Sequence, residues 1–223
     1  MLRLAVFDLD GTLKQERDPY TYLHQRLGTL EAARAFTHKG VSGEIPYEEW
    51  LRLDVGLWRG VPLDTLKAHL QEIPYLPGAR ETVARLRARG VIVALISSGL
   101  LFHAEMVAED LGIDLVFANE VGWEEVDGVR RVDGRVRARV PFDRKGPVLE
   151  QLQTKLGVPP AETLAVGDSA SDIAMFKRAR VGVAVNTSRP EVIQAAHIVL
   201  PEPDLRPLLP RLHRFAPDFW PDP

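Results

Sequence analysis

Short apolar runs rich in Val and Ile recur at Leu4–Phe7, Val91–Ile96, Leu115–Ala118, Thr163–Val166 and Val181–Val185. They are apolar at consecutive positions, the pattern of strands in a parallel sheet covered on both faces. Helical segments are expected between most of them, at Ala79–Arg89, Leu101–Leu111, Pro147–Leu156, Ser171–Arg178 and Pro190–Ala196. Gly90, Gly112 and Gly157 stand where helices would stop. The alternation predicts an open, doubly wound α/β fold with a Rossmann-like core.

Between about Lys14 and Tyr75 the alternation breaks off. Pro19, Pro46 and Pro62 stand near expected helix starts there. The stretch reads as a small, mostly helical cap inserted after the first strand, residues 15–75, on a core of residues 1–14 and 76–223. All four tyrosines (Tyr20, Tyr22, Tyr47, Tyr75) and two of the four tryptophans (Trp50, Trp58) fall in this stretch. In so small a unit they are expected mainly to build the cap core or its interface, because large side chains dominate packing. From Asn119 to Val140, Asp127-Gly128 and Asp133-Gly134 predict two turns and a β-ribbon off the sheet edge. The proline-rich tail, Pro201 to Pro223, is expected to wrap the surface, with a short helix near Leu205–Leu212.

The 223 residues suffice for one ample domain or for a core plus a small insertion. With 45% hydrophobic and 26% charged residues, neither disorder nor a fibrous repeat is indicated. The net charge of -3 offers no basic excess for nucleic acid or an anionic membrane, so a small molecule is the expected partner. With no cysteine, thiol nucleophiles, disulfides and thiolate zinc sites are excluded, and a metal would need oxygen or imidazole ligands. The first residues are apolar only as far as Asp8, far short of the roughly 20 a membrane span needs, and a cytoplasmic location is expected. The six histidines show no spacing for a shared metal site on one element, and His103 is expected as a helix residue.

At the end of the first expected strand stands Asp8-Leu9-Asp10-Gly11-Thr12. Carboxylates at i and i+2 there would both enter the crevice beyond the carboxyl edge of the sheet, where ligands of such folds bind. Alone, the motif reads equally well as a capped turn. Ser97 follows the second run and leads, with Ser98-Gly99, into an expected helix, where a hydroxyl and free amides would cradle a phosphate. A lone Ser there would be a simple N-cap. Lys145-Gly146-Pro147 puts a cation at another helix start, against the favoured sign of the helix dipole, which points to an anion opposite it. Gly167-Asp168-Ser169-Ala170-Ser171-Asp172 supplies a second acid pair after another strand. Capping accounts poorly for acid pair, hydroxyl, cation and acid pair in that order.

These residues resemble the four motifs of the haloacid dehalogenase-like hydrolase superfamily, over nearly the whole chain. The runs from Ala79 to Gly99, Phe117 to Val140 and Leu164 to Phe176, with Ala118-Asn119-Glu120 leading into the ribbon, are most similar to its phosphoserine phosphatase branch. The resemblance implies a phosphatase in which Asp8 attacks phosphorus to form an aspartyl phosphate. Asp10 would protonate the leaving alcohol and then activate water. It implies Mg²⁺ held by the Asp8 carboxylate, the Asp10 backbone carbonyl and Asp168. It also implies phosphate binding by Ser97 and Lys145 with Gly11, Ser98 and Gly99, and an Asp172 that orients Lys145 or a water on the metal. The dehalogenases lack the second acid of the first motif, which Asp10 supplies.

Phosphoserine phosphatases use a Glu after the first motif for the substrate ammonium and a cap Arg for its carboxylate. Those positions fall here at Arg17 and Asp54, both with charge reversed, although a one-residue slip would bring Glu16 or Arg52 there instead. The expectation is a phosphatase of the same branch acting on a different small phosphorylated metabolite, with Arg17, Asp54 and the cap aromatics as specificity residues. An ion pair on the surface or inside the cap is an equally good reading of Arg17 and Asp54. Phosphoserine phosphatase proper and phosphotransfer, as in a mutase, stay open; a non-enzymatic binding protein fits less well, since every position the chemistry needs is filled. The expected state is a monomer or homodimer.

Overall fold

The structure, a computed structural model, describes residues 1–221. The last two residues of the expected surface tail lie outside that range. Seven strands form one sheet in the order β4-β3-β2-β1-β5-β6-β7. They are β1 Leu4–Phe7, β2 Ile92–Leu100, β3 Leu115–Val126, β4 Val129–Arg137, β5 Thr163–Gly167, β6 Val181–Val185 and β7 Ile198–Leu200. All pairs are parallel except β3 with β4. The central β1 is buried at every residue. Ala5 and Phe7 pack with helices α5 (Ala79–Ala88), α6 (Leu101–Leu111) and α10 (Leu208–Phe215), whereas Leu4 and Val6 face α7 (Lys145–Leu156), α8 (Ile173–Phe176) and α9 (Pro190–Ala195). A strand covered on both faces has no solvent side, which explains its unbroken apolar run.

Several elements depart from the sequence expectation. β2 does not stop at Ile96 but continues, with a register shift, to Leu100, so Ser97–Gly99 is extended backbone, while α6 spans Leu101–Leu111 as expected. The cradle expected at a helix N-terminus is a strand end instead. α7 begins two residues before Pro147, which is tolerated because first-turn amides have no partner inside the helix. The helix expected at Ser171–Arg178 is reduced to a 3₁₀ turn, Ala170–Asp172, opened by a capping box of Ser169 and Asp172, and the short α8. Asp127-Gly128 makes the hairpin turn with both residues at positive φ, 52° and 75°. Asp133-Gly134 makes no second turn: it lies inside β4, where the register against β3 shifts between Val121 and Trp123. The Asp133 carboxylate accepts the Arg135 amide there, and Gly134 takes φ 86°.

The inserted unit comprises α1 (Pro19–Leu27), α2 (Leu30–Ser42), α3 (Tyr47–Gly56) and α4 (Leu63–Gln71). Its own core gathers Leu23, Val55, Trp58, Leu66 and Leu70, with Val132 of β4. The chain leaves and re-enters the sheet domain side by side, with Leu76 N–H donating to Leu13 O at 2.8 Å and Gln15 N–H to Pro74 O at 2.9 Å. Trp58 and Tyr22 serve the cap core as expected. Tyr47 sits at the interface of cap and sheet, as expected, bonded to Ser98 O and also lining the cleft there; Trp50 lines the cleft, and Tyr20 both stacks on Trp58 and lines it.

One buried side chain ties cap, β2 and ribbon together. Asn119 donates through Nδ2 to Ser98 O at 2.7 Å and to the Tyr47 hydroxyl at 3.0 Å, and its Oδ1 accepts the Val140 amide at 2.9 Å. Tyr47 OH in turn donates to Ser98 O at 3.0 Å. Truncating Asn119 leaves the buried Val140 amide without its partner and removes two further bonds, while Tyr47 OH and Ser98 O still hold each other; a group left unpaired costs roughly 1–3 kcal/mol and each lost bond about 1 kcal/mol. Asn119→Ala is therefore expected to lower stability by about 2–4 kcal/mol in urea denaturation; a loss under 0.5 kcal/mol, the size of an ordinary surface substitution, would contradict this role.

Candidate active site

The motif residues converge at the carboxyl ends of β1, β2 and β5 and the first residue of α7, on one side of a cleft of about 580 Å³ whose other side is the helical cap. Lys145 Nζ lies 2.8 Å from Asp8 Oδ1 and 2.7 Å from Asp172 Oδ1. The other Asp172 oxygen accepts the amides of Asp168 and Ser169 at 3.1 and 2.9 Å and the Ser169 hydroxyl at 2.9 Å. Asp172 thus fixes the β5 loop with one oxygen and the lysine with the other. Ser97 OH donates to Asp10 Oδ2 at 3.2 Å and accepts the Gly99 amide at 2.9 Å. Two glycines make room for this: a Cβ on Gly11, which also sits at φ 82°, would collide with the Asp168 carboxylate, and one on Gly99 would collide with Asp10.

Asp8, Asp168 and Asp172 each bring one oxygen to within 4.8 Å of the others, all three buried. Burial raises Asp8 well above the ordinary carboxylate range, and the charge of Asp172 adds to it against the pull of Lys145. Burial and then Asp172 likewise push Asp168 up to about 7. For Lys145, burial opposes the charge, but Asp172 and Asp8 outweigh it and hold its pKa above the usual value. Negative charge in the cluster thus exceeds what one lysine offsets. Buried oxygen donors with uncompensated charge suit a hard divalent cation.

Residues 5–177 match the haloacid dehalogenase-like hydrolase family. The chain belongs to it. The phosphoserine phosphatase of Methanocaldococcus jannaschii is 30% identical over 207 residues, covering 93% of this chain and 96% of that protein. That of Archaeoglobus fulgidus is 34% identical over 185 residues, but this chain spans only about half of its length (52%). A substrate-bound phosphoserine phosphatase structure superposes with a TM-score of 0.79 at 30% identity, over 95% of this chain and 98% of that one. A phospho-aspartyl intermediate analogue of phosphoserine phosphatase matches with a TM-score of 0.78 at 30% identity, over 94% and 98%.

Within this family frame, Asp8, Asp10, Ser97, Ser98, Gly99, Lys145 and Asp168 all line the cleft, with Gly11 and Asp172 packed directly behind Asp168. Arg17 lines it too, its Nε 3.7 Å from Asp168 Oδ2, so its charge sits beside the acid cluster. Asp54 faces the cleft from α3, but its Oδ1 accepts the Nε2–H of His24 at 3.0 Å, a hydrogen bond inside the cap. Trp58 Nε1–H donates to His24 Nδ1 at 3.2 Å, and Thr29 OH lies 2.8 Å from the same nitrogen, which assigns the ring proton to Nε2. The alternatives do not enter the cleft lining: Glu16 accepts the amides of Arg17 and Asp18, and Arg52 pairs with Glu49 on the cap surface.

Sequence reasoning gave no role to Asn119, His24 or Phe142, the last of which lies on the loop before α7 and lines the cleft. Asn186 Nδ2 donates to Gly11 O at 3.0 Å and holds the first-motif turn; its φ of 52° was its only signal, visible in the backbone alone. His103, expected as a plain helix residue, is buried on α6 with Nδ1 3.5 Å from Asp10 Oδ1, and neither of its ring nitrogens has a hydrogen-bond partner among the described residues. No helix among the described residues is long and apolar enough to cross a membrane.

The raised Asp168 pKa has a signed consequence. Without a cation, the folded chain holds a proton on Asp168 that the unfolded chain, with an Asp pKa of about 3.9, has lost, so this group's stabilisation is full below about pH 4 and disappears as pH rises through about 7. A cation that binds the ionised cluster reverses that trend. Thermal melts in EDTA and in Mg²⁺ are expected to differ by more at pH 8 than at pH 5; an equal Mg²⁺ effect at both would contradict the assignment.

Proposed function

We propose that this hydrolase is a magnesium-dependent phosphatase that cleaves a small phosphorylated metabolite through an aspartyl phosphate on Asp8. The observation that carries this reading is the Asp8 carboxylate held 2.8 Å from Lys145 on a buried floor, with Ser97 and Asp10 beside it. Residues 15–75 act as the cap on a core of residues 1–14 and 76–223. A cytoplasmic monomer or homodimer accompanies this reading, from sequence alone.

Lys145 aims Asp8 and opposes the burial and the Asp172 charge that raise its pKa, and Asp8 attacks phosphorus as the bond to the leaving oxygen breaks. Ser97 OH, the Ser98-Gly99 backbone, Gly11 and Lys145 bind the phosphate oxygens, and fixed charge supplies most of the stabilisation in such transfers. The Asp10 oxygen Oδ1 is shut off from solvent against His103, so the proton for the leaving alcohol moves at Oδ2. Asp10 then takes a proton from the water that hydrolyses the aspartyl phosphate, returning both acids to their starting state. Asp172 positions Lys145 and the β5 loop. Asp8, Asp168 and the Asp10 backbone carbonyl would hold Mg²⁺, which when bound would supply the positive charge that lets the phosphate approach these carboxylates.

The substrate is a phosphomonoester other than phosphoserine. An arginine beside Asp168 and a buried acid on α3 stand where an acid and an arginine would recognise an amino acid, and like charges against substrate cost affinity.

Free phosphate released from a panel of phosphoesters is expected only with Mg²⁺ and to disappear in EDTA. Asp8→Asn is expected to lower kcat at least 10³-fold, about 4 kcal/mol in barrier. An Asp8→Asn enzyme that retains most of its activity would eliminate Asp8 as nucleophile. Phosphoserine as the best substrate by a wide margin would sink the substrate assignment alone.

A further inference from the structure

We infer that the substrate's leaving group is an alcohol with an aromatic or branched apolar body and no carboxylate, seated on a wall formed by Tyr47, Trp50 and Phe142. The inference rests on the phosphatase reading and names the substrate class of that same cleft.

The polar and apolar parts of the cleft are separated. Lys145, Asp8, Asp168 and Arg17 cluster at the sheet edge, where the phosphate binds. The side beyond them is faced with rings. The Tyr47 and Phe142 centroids lie 4.8 Å apart at 61°, Trp50 and Phe142 6.3 Å apart at 57°, and Tyr47 and Trp50 6.5 Å apart at 87°. The two contacts of Tyr47 are edge-to-face and that of Trp50 with Phe142 is tilted, so the rings fill one another's space. A cage for an alkylammonium needs rings that stand apart, with the cation over several ring faces at once. Rings packed this closely make a continuous apolar wall instead.

The wall is built and held, not incidental. Gly40 lies in the last turn of α2, ahead of the Gly43 cap, where glycine is a poorer helix former than alanine. A Cβ at that position would run into the Trp50 indole, so the glycine keeps the seat for that ring. Tyr47 is fixed through its hydroxyl to Ser98 O and Asn119, which locks its ring beside the phosphate cradle. Phe142 remains 50% exposed at the cleft, a large apolar surface left to water unless a ligand covers it. A volume of about 580 Å³ fits a ligand larger than a three-carbon phosphoester.

Asp54 disfavours a substrate carboxylate on the cap side of the cleft. It is buried at the cap side of the cleft, and its partner His24 is engaged on its other nitrogen by Trp58 and Thr29. A substrate carboxylate brought there would meet another carboxylate without a cation to pair with.

The test uses four phosphate esters of primary alkyl alcohols: 2-phenylethyl, 3-methylbutyl and ethyl phosphate, and phosphoserine. Their leaving groups are all alkoxides, so differences report on binding of the alcohol body. The first two are expected to exceed the other two in kcat/KM by at least tenfold. Trp50→Ala and, as a second variant on an exposed side chain, Phe142→Ala are expected to collapse that ratio, chiefly through a higher KM for the apolar esters, with melting curves confirming that each folds. Equal kcat/KM for all four, a preference for phosphoserine, or an unchanged ratio in both folded variants would overturn the inference while leaving the phosphatase reading intact. Hydrolysis of none of them with Mg²⁺ present would remove both.

Discussion

Lys145, buried between Asp8 and Asp172, is the contact on which the rest of the site depends. A lone buried carboxylate loses its charge, and a lone buried ammonium does the same, because transfer out of water costs several kcal/mol per ion. Here Asp172 and Asp8 hold Lys145 charged, and Lys145 offsets part of the burial that raises Asp8. Removing one member of such a set typically costs 3–5 kcal/mol, since the partners are left buried and unpaired. The nucleophile, the β5 loop and the start of α7 are therefore one electrostatic unit. Three separate segments of chain must come together to build it.

The sheet supplies the precision that this unit requires. β1 and its neighbours β2 and β5 run parallel and in register, so their carboxyl ends fall on one edge and deliver Asp8, Ser97 and Asp168 within reach of one another. Apolar side chains on both faces hold β1 in place. At the end of each strand the backbone must turn sharply without crowding the carboxylates, which is why Gly11 and Gly99 stand against Asp168 and Asp10. The fit of the sheet to the reaction is thus a matter of backbone register first and of side-chain identity second.

The chemistry of this edge was legible in the sequence because each motif is local: a strand, two or three polar residues, a turn or helix. What is not local was not legible. Asn119 joins Tyr47, 72 residues away in the chain, to the carbonyl of Ser98, and nothing in the run Ala118-Asn119-Glu120 announces that pairing. His24 and Asp54 meet across 30 residues. Phe142 joins Tyr47 and Trp50 from a loop on the far side of the ribbon. Ser97 was misread as the start of a helix because hydroxyl and glycine residues serve caps and extended strand ends alike; the continuation of β2 to Leu100 comes from its renewed pairing with Asn119, a tertiary effect. Asp133-Gly134 has the sequence of a turn, yet the pairing on either side of it, Trp123 with Val132 and Val121 with Val136, keeps it inside β4.

This contrast has a physical origin in how the two sides of the cleft work. The sheet edge must stabilise the same phosphoryl group whatever the alcohol attached to it, so its charges have little freedom to change without losing the ion network around Lys145. The cap touches the part of the substrate that does not react. Its side chains answer to shape and charge alone, and a reversal such as the one at Arg17 and Asp54 can be absorbed by a neighbouring residue, as His24 absorbs Asp54. The same separation lets an apolar wall stand a short distance from a cluster of buried carboxylates: the phosphate takes the charge, and the remainder of the substrate needs only to exclude water from the rings it covers.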